Sequence, residues 1–331
     1  MHSTVSVSVL VAVYNTEAYL PQCLDSLLAQ TQQDIQVLCV DDCSTDGSWE
    51  ILQDYARRDP RIEISRMVKN SGQAKARNEA LHHVRGQYVA FLDSDDWLDS
   101  RALELVVQTF SQQPDSDCVL MRLLRVCQDD SKYDYEKLIP QFMTGKEAFD
   151  KSLDWTIHGV YVARASLYKQ WPFDDTCRSF SDDNTTRLHY YFSRRVSYCH
   201  EACYYYRVRP QSVSAQVSRR RFDYLRANES MRRQLIDMNV GQEYVAKYEN
   251  HRWLNLVGVY MFYHVNRSKL SRDDRQYGLS EMHRVWENID LSLLDRKTTA
   301  KFGYRPCSSW LLFRLQEWLY FTLRDLLGRN R

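Results

Sequence analysis

Gly86-Gln-Tyr-Val-Ala-Phe-Leu-Asp-Ser-Asp-Asp96 is the stretch whose reading decides the fold. Gln87 to Leu92 has the composition of a buried strand, and it runs without a spacer into three carboxylates. Residues i and i+2 at a strand end point the same way, so Asp93 and Asp95 share a side. Such a pair suits a hard divalent cation, Mg2+ or Mn2+, which is typically held by one or two carboxylates together with substrate phosphates. Asp96 adds a third acid, and three acids after a buried strand repel one another unless a cation or donors compensate. An isolated D-x-D is more often a solvated acidic turn capping a helix. The strand running straight into this one favours the metal site.

Working outward, strand and helix signals alternate. Val5 to Val13, Ile35 to Val40, Ile62 to Val68 and Cys118 to Leu124 read as further strands. Helical patterns cover about 16–30, 48–57, 72–84 and 100–110. This alternation predicts an α/β fold with a mostly parallel sheet covered by helices on both faces. Ligands in such sheets bind beyond the carboxyl ends of the strands. Ala12 and Tyr14 at the end of the first strand, Asp41 and Asp42 after the second, and Asp93 to Asp95 after the fourth are therefore expected along one edge. Asp42 can accept a hydrogen bond from a base N–H or a ribose hydroxyl, while Ser44 to Asp46 read as turn and helix cap. Asn70-Ser-Gly-Gln-Ala-Lys-Ala-Arg-Asn78 opens a helix whose N–H groups can face phosphate, with Arg77 reaching base or phosphates; a solvated arginine is the plainer reading of Arg77.

Bulk properties bound the function. The 331 residues suggest about two domains, and 44 basic against 43 acidic residues give a net charge of +1, so nothing global draws the chain to nucleic acid. Nine irregularly spaced cysteines, without a C-x-x-C pair, fit a reducing, cytoplasmic setting without a disulfide framework. The pairs Cys39/Cys43 and Cys199-His200/Cys203 lack a full zinc set, and no histidine stands out as a ligand. The valine-serine alternation at the N-terminus reads as a strand rather than a signal peptide, and no apolar run is long enough to span a bilayer. Neither a G-x-G-x-x-G after the first strand nor a P-loop is present, which excludes the common dinucleotide and ATP folds. A haloacid-dehalogenase-type phosphotransferase would need its D-x-D after the first strand rather than the fourth.

Taken together, VSVLVAVYNTEAYLPQCLDSLLAQT (5 onward), VLCVDDCSTDGS, NSGQAKARNEAL and GQYVAFLDSDDWL resemble, in order and spacing, the family-2 glycosyltransferases of the GT-A fold. The resemblance covers about 5–125 closely and about 155–215 more loosely. It implies a Rossmann-like GT-A domain at 1–215, a helical C-terminal region at 216–331, and inverting transfer from a nucleotide diphosphate sugar, a UDP-sugar by expectation, to an acceptor hydroxyl. The donor site implied comprises Ala12, Tyr14, Asp42, Arg77, Asp93, Ser94 and Arg207. Asp95 is the more direct metal ligand, with Asp93 facing ribose or metal. Ser181-Asp182-Asp183 corresponds to the family's acid pair, which makes Asp183 the candidate base, although Asp182 stands where glutamate is more usual. Tyr206-Arg207-Val208-Arg209 matches the segment that follows, so Arg207 and Arg209 become candidate diphosphate contacts; a solvated strand end is the alternative. The implied acceptor is a surface saccharide or lipid-linked saccharide. A non-catalytic, sugar-nucleotide-binding partner subunit is the other reading.

Beyond Ser214 the pattern turns helical, at about 222–238, 242–265 and 272–288. Trp310 to Leu327 is amphipathic, with Leu312, Leu315, Leu319, Leu323, Leu326 and Leu327 interleaved with charges. That helix is expected either to pack, against the catalytic domain or a second subunit, or to lie peripherally at the inner face of a membrane.

Overall fold

The computed structural model describes residues 5–135, 138–209 and 217–328. The chain clusters into two compact units, Met1–Arg178 with Thr185–Pro210, and Ser179–Asn184 with Gln211–Arg331.

The first unit begins with β1 (Val7–Val13), α1 (Leu20–Leu28), β2 (Ile35–Asp41), α2 (Ser48–Arg58), β3 (Ile62–Arg66), α3 (Gln73–Leu81) and β4 (Tyr88–Phe91). These match the alternation read from the sequence. After them come β5 (Trp97–Leu98), α4 (Ala102–Gln112), β6 (Ser116–Val126), β7 (Lys132–Asp134), β8 (Phe142–Thr144) and α5 (Gly145–Leu153). Then follow β9 (Tyr161–Arg164), α6 (Ala165–Gln170), α7 (Asp182–Phe192), whose first turn belongs to the second unit, and β10 (Arg195–Arg207).

The sheet runs β3-β2-β1-β4-β9-β6-β10-β5, with β7 beside β6 and β8 beside β10. Strands β1 to β4 are mutually parallel where they pair. Strand β9 is antiparallel to both β4 and β6, so the sheet is mixed rather than uniformly parallel. Strand β10 is parallel to β6 over most of its length. Strand β1 separates β2 and β3 on one side from β4 on the other. The chain therefore reverses its winding beside β1 and opens a crevice at the carboxyl ends of β1 and β4. The register Val13↔Asp41 brings the ends of β1 and β2 level with each other. Val7, Val9, Val11 and Val13 on one face of β1 and Ser8 and Leu10 on the other are almost fully buried, as expected of a strand covered on both faces.

The second unit contains α8 (Asp223–Asp237), α9 (Gln242–Asn266), α10 (Arg272–Glu287), the short α11 (Arg296–Thr299) and α12 (Trp310–Leu326). Its core is aromatic, built from Phe222, Trp253, Tyr260, Phe313 and Phe321 with Leu256, Val257, Met282 and Val285. The stretch 179–184 joins this unit: Phe180 meets Tyr224 edge-on at 5.2 Å, and Asn184 Nδ2 donates to the Ala227 carbonyl at 2.8 Å. Among the described residues no helix is long and apolar enough to cross a membrane.

The leucine stripe of α12 is not the face that packs. Phe313, Glu317 and Phe321 are buried, whereas Leu311, Leu312, Leu315, Leu319, Leu323 and Leu326 are exposed. Aromatic rings of α9 and α10 fit the narrower Phe313/Phe321 side, where Tyr260 meets both rings and Trp286 meets Phe313.

Candidate functional site

The end of β4 turns sharply. Asp96 N donates to the Asp93 carbonyl at 2.9 Å, which stacks the three acids of 93–96 around one turn. Ligand oxygens of Asp93, Asp95 and Asp96 all lie within 4.8 Å of one another. Ser94 points into the protein, where its hydroxyl accepts from Thr16 Oγ1 at 3.0 Å.

Each acid has a different environment. Asp93 is partly open, and its Oδ1 accepts from Gln73 Nε2 at 2.6 Å and Arg77 Nη2 at 2.5 Å. Asp95 is paired with Arg209. Burial, and then the negative charge of Asp93, raise its pKa, while Arg209 opposes them. Asp96 is almost wholly buried, accepting from the Tyr204 hydroxyl at 2.7 Å and the Arg207 amide at 2.8 Å. Burial and the neighbouring charges of Asp93 and Asp95 push its carboxyl up to about 8. The cluster is thus electrostatically strained as it stands. An all-oxygen donor set with a surplus of negative charge matches what Mg2+ or Mn2+ requires.

Arg77 is not the solvated helix arginine of the plainer reading. It is buried, with its guanidinium 4.4 Å from the Phe91 ring centroid and 5.3 Å from that of Phe173. It is placed to hold Asp93 rather than to reach freely into solvent. Arg207 extends along the same edge: its Nε donates to the Asp95 carbonyl at 2.8 Å, and its guanidinium lies over Trp97 at 4.6 Å and Tyr19 at 5.0 Å. Arg209 stacks on Tyr19 at 4.8 Å. Neither arginine is a solvated strand end.

At the neighbouring strand ends, Tyr14 is 45% exposed and follows Ala12, which pairs with Val40 in the β1–β2 register. Asn15 adopts a left-handed φ of 51°, which lets its side chain accept from Thr45 N at 2.8 Å and ties the two loops together. Asp41 is internal and paired with Arg66 at 2.9 Å. Asp42 is also buried; its two oxygens accept from Ser71 N and Gly72 N, each at 2.7 Å. It therefore fixes the loop entering α3, and each oxygen keeps a second lone pair for a ligand. Asp46 stands just before Gly47, the N-cap of α2, and accepts from Ser48 N at 3.0 Å.

A match to a family model, described as glycosyl transferase family 2, covers residues 8–174, just over half of the chain. The chain belongs to this family. Relatives of this family-2 chain include a putative glycosyltransferase EpsH of Bacillus subtilis, 29% identical over 66% of this chain and 66% of its own length. They also include a poly(ribitol-phosphate) beta-glucosyltransferase of Bacillus spizizenii, 30% identical over 64% of this chain but only 34% of that protein. The chain thus spans less than two thirds of some of the curated relatives it matches. Among solved structures, S. aureus TarS 1–349 in complex with UDP-GlcNAc superposes with a TM-score of 0.71 at 20% identity, covering 98% of this chain and 92% of that one. That likeness shows a shared GT-A fold.

Within this family-2 domain the structure gathers Asp93, Ser94, Asp95, Arg77 and Arg207 around one strand end. Tyr14 and Asp42 stand at the ends of β1 and β2. Asp183 stands half-buried in the first turn of α7 beside Asp182, within the second unit. Sequence reading missed Tyr204, whose hydroxyl also accepts from Asp93 N at 3.2 Å and so bridges the acidic turn. The run Tyr204-Tyr-Tyr-Arg207 was legible only as strand composition. Its period-2 alternation places Tyr204 and Tyr206 on one face of β10, which was the available signal.

Proposed function

We propose that this protein is a metal-dependent, inverting glycosyltransferase that moves a sugar from a nucleotide diphosphate sugar, a UDP-sugar, to a hydroxyl of a surface saccharide or lipid-linked saccharide. The observation that carries this reading is the Asp93/Asp95/Asp96 cluster at the carboxyl end of β4 in a family-2 domain, with its ligand oxygens within 4.8 Å of one another. The curated relatives support the substrate class, since one is named for glucosyl transfer to poly(ribitol-phosphate). A solved neighbour holds UDP-GlcNAc.

Asp95 and Asp93 would hold Mg2+ or Mn2+, which when bound offsets the charge that builds on the departing diphosphate. Asp42, Ala12 and Tyr14 receive the base and ribose. Arg77 keeps the Asp93 carboxylate in place. Arg207, with Arg209, supplies cationic donors to the diphosphate. Asp183 accepts the proton of the acceptor hydroxyl as its oxygen bonds to the sugar C1 and the C1–O bond to diphosphate breaks. One base and one direct displacement invert the anomeric centre. We place this chemistry in the cytoplasm.

The test is a thermal-shift panel of UDP, GDP, CMP, dTDP and NAD with and without Mn2+, since a ligand selective for the folded state raises its melting temperature. Manganese-dependent stabilisation by one nucleoside diphosphate, lost in Asp95→Ala, supports the donor site. Asp183→Asn should then abolish turnover while UDP still binds. A nucleotide that binds to a protein with no turnover in any variant, the wild type included, would mark a binding subunit instead.

A further inference from the structure

Helix α12 carries a continuous apolar face that stays largely exposed among the described residues. Leu311, Leu315, Trp318, Leu319 and Leu326 recur at spacings of three, four and seven, with Leu312 and Leu323 along one flank. Leu311 is 74% exposed, Leu315 53%, Trp318 43% and Leu326 80%. Such a stripe is larger than the scattered apolar residues of an ordinary surface. It continues onto the preceding loop. Exposed Phe302 meets Tyr320 of α12 edge-on at 5.9 Å, and the Arg305 carbonyl accepts from Gln316 Nε2 at 2.9 Å, which sets Arg305 at the rim.

The charge around this face identifies what it meets. From residue 301 onward the sequence holds Lys301, Arg305, Arg314, Arg324, Arg329 and Arg331 against only Glu317 and Asp325, a balance of +4 in a chain whose total is +1. Arg329 and Arg331 lie outside the described residues. Glu317 is fully buried, and Asp325, its side chain 49% exposed, lies 3.2 Å from His264 Nε2. With Glu317 buried, the segment's cations outnumber its one exposed acid, so its surface charge is cationic on balance. Two copies meeting through this face would bring two such basic segments together, whereas an anionic lipid surface would neutralise them. An apolar stripe with an aromatic anchor and a basic rim is the arrangement that lies in a bilayer interface, leucines toward the acyl chains and arginines among the headgroups.

We infer that the exposed leucine face of α12 docks the protein onto an anionic membrane surface. This inference rests on the second unit alone and stands apart from the donor-site reading.

The experiment is co-sedimentation of the full chain with phosphatidylcholine vesicles containing phosphatidylglycerol, against vesicles of phosphatidylcholine alone. The wild type should bind the anionic vesicles, more weakly as salt rises. The double variant Leu315→Glu/Leu319→Glu should bind roughly tenfold less, with an unchanged circular-dichroism melt because both side chains already reach water. Leu315 and Leu319 are only about half exposed, so should that variant misfold, Trp318→Phe keeps the apolar face and reports separately. It should retain binding but lose quenching of its fluorescence by bromine-labelled lipid. Absence of wild-type binding to anionic vesicles, or quenching that is the same with and without Trp318, overturns the inference. So does a concentration-dependent dimer that the double variant disperses, which would show a second copy as the occupant.

Discussion

Arg77 and Asp93 form an ion pair whose halves lie in different surroundings: the guanidinium is 2% exposed and the carboxylate 33%, joined at 2.5 Å. The arginine packs against both Phe91 and Phe173, which meet each other edge-on at 6.1 Å, so its orientation is set by packing before any ligand arrives. The acid at the crevice is thus held by a cation that cannot swing away into water.

This arrangement predicts different outcomes for two substitutions. Arg77→Ala removes both the aromatic packing and the partner of Asp93, and should cost about 3 kcal/mol by urea denaturation. Arg77→Met keeps most of the volume and should cost roughly half of that. Both should weaken manganese-dependent UDP binding by roughly tenfold, because Asp93 loses its anchor. If calorimetry finds UDP affinity unchanged in Arg77→Met, the arginine is a packing residue only.

Arg209 shares Asp95 with any cation that arrives there. In nucleotide-free protein the two compete, so Arg209→Gln should tighten Mn2+ binding by roughly three- to tenfold. With UDP present the sign should reverse, since the arginine then has a diphosphate to hold. Titration of free Mn2+ by its electron-paramagnetic signal, with and without UDP, reads both. Weaker Mn2+ binding by the variant in the absence of UDP would sink the idea of competition.

The legible half of the fold is the half with local signals. Strands β1, β2 and β4 are apolar runs, β3 alternates Ile62 and Ile64 with polar residues, α1 and α2 have a clear helical period and α3 is rich in helix-forming alanines, so Val7 to Phe91 could be read from local signals. Strand β9 shows where that stops. It was readable as a strand, but its insertion between β4 and β6 pairs residues about 70 apart in sequence with Tyr88 to Ala90, and no local pattern records such a pairing. Helix α5 is different: Thr144 and Glu147 form a full capping box, a signal present in the sequence and not used. At the site, the strand-end position of the acids followed from period and topology. The burial of Arg77 did not, because it depends on Phe173, far along the chain. Periodicity likewise exposed the apolar stripe of α12 without saying whether it meets protein or solvent.

Gly145, the first residue of α5, meets backbone rather than side chain. A Cβ there would sit 2.1 Å from the Ser193 carbonyl oxygen and 2.2 Å from that of Tyr190. Carbonyls at the end of α7 cannot rotate aside, so Gly145→Ala should destabilise the first unit by about 2–3 kcal/mol. Gly258 in α9 is the control. Among the described residues nothing lies within 4 Å of its Cβ position, and Gly258→Ala should stabilise by about 0.5–1 kcal/mol. Equal effects of the two substitutions in thermal melts would contradict the packing described.

The fully buried Glu317 of α12 should make the helical unit sensitive to pH. Among the described residues its Oε2 has no hydrogen-bond partner, and its Oε1 accepts only a 3.3 Å bond from Gln316. Burial pushes the carboxyl from an ordinary 4.5 up to about 8, so the folded state favours the protonated acid. A folded pKa above the unfolded one means that the folded protein binds more protons between those limits. The stabilisation is complete below about pH 4.5 and is lost as pH rises through about 8. Tyr260, Tyr304 and Cys307, which feel its charge, are themselves raised, chiefly by burial, above ordinary values of 10, 10 and 9, so they titrate beyond this window. Glu317→Gln keeps the shape and removes the titration. Compared with the wild type, it should gain on the order of 1–2 kcal/mol at pH 8 and much less at pH 5 in urea denaturation followed by tryptophan fluorescence. An identical difference at both pH values would mean that the carboxyl keeps one protonation state throughout, and that α12 packs around it differently from the geometry described.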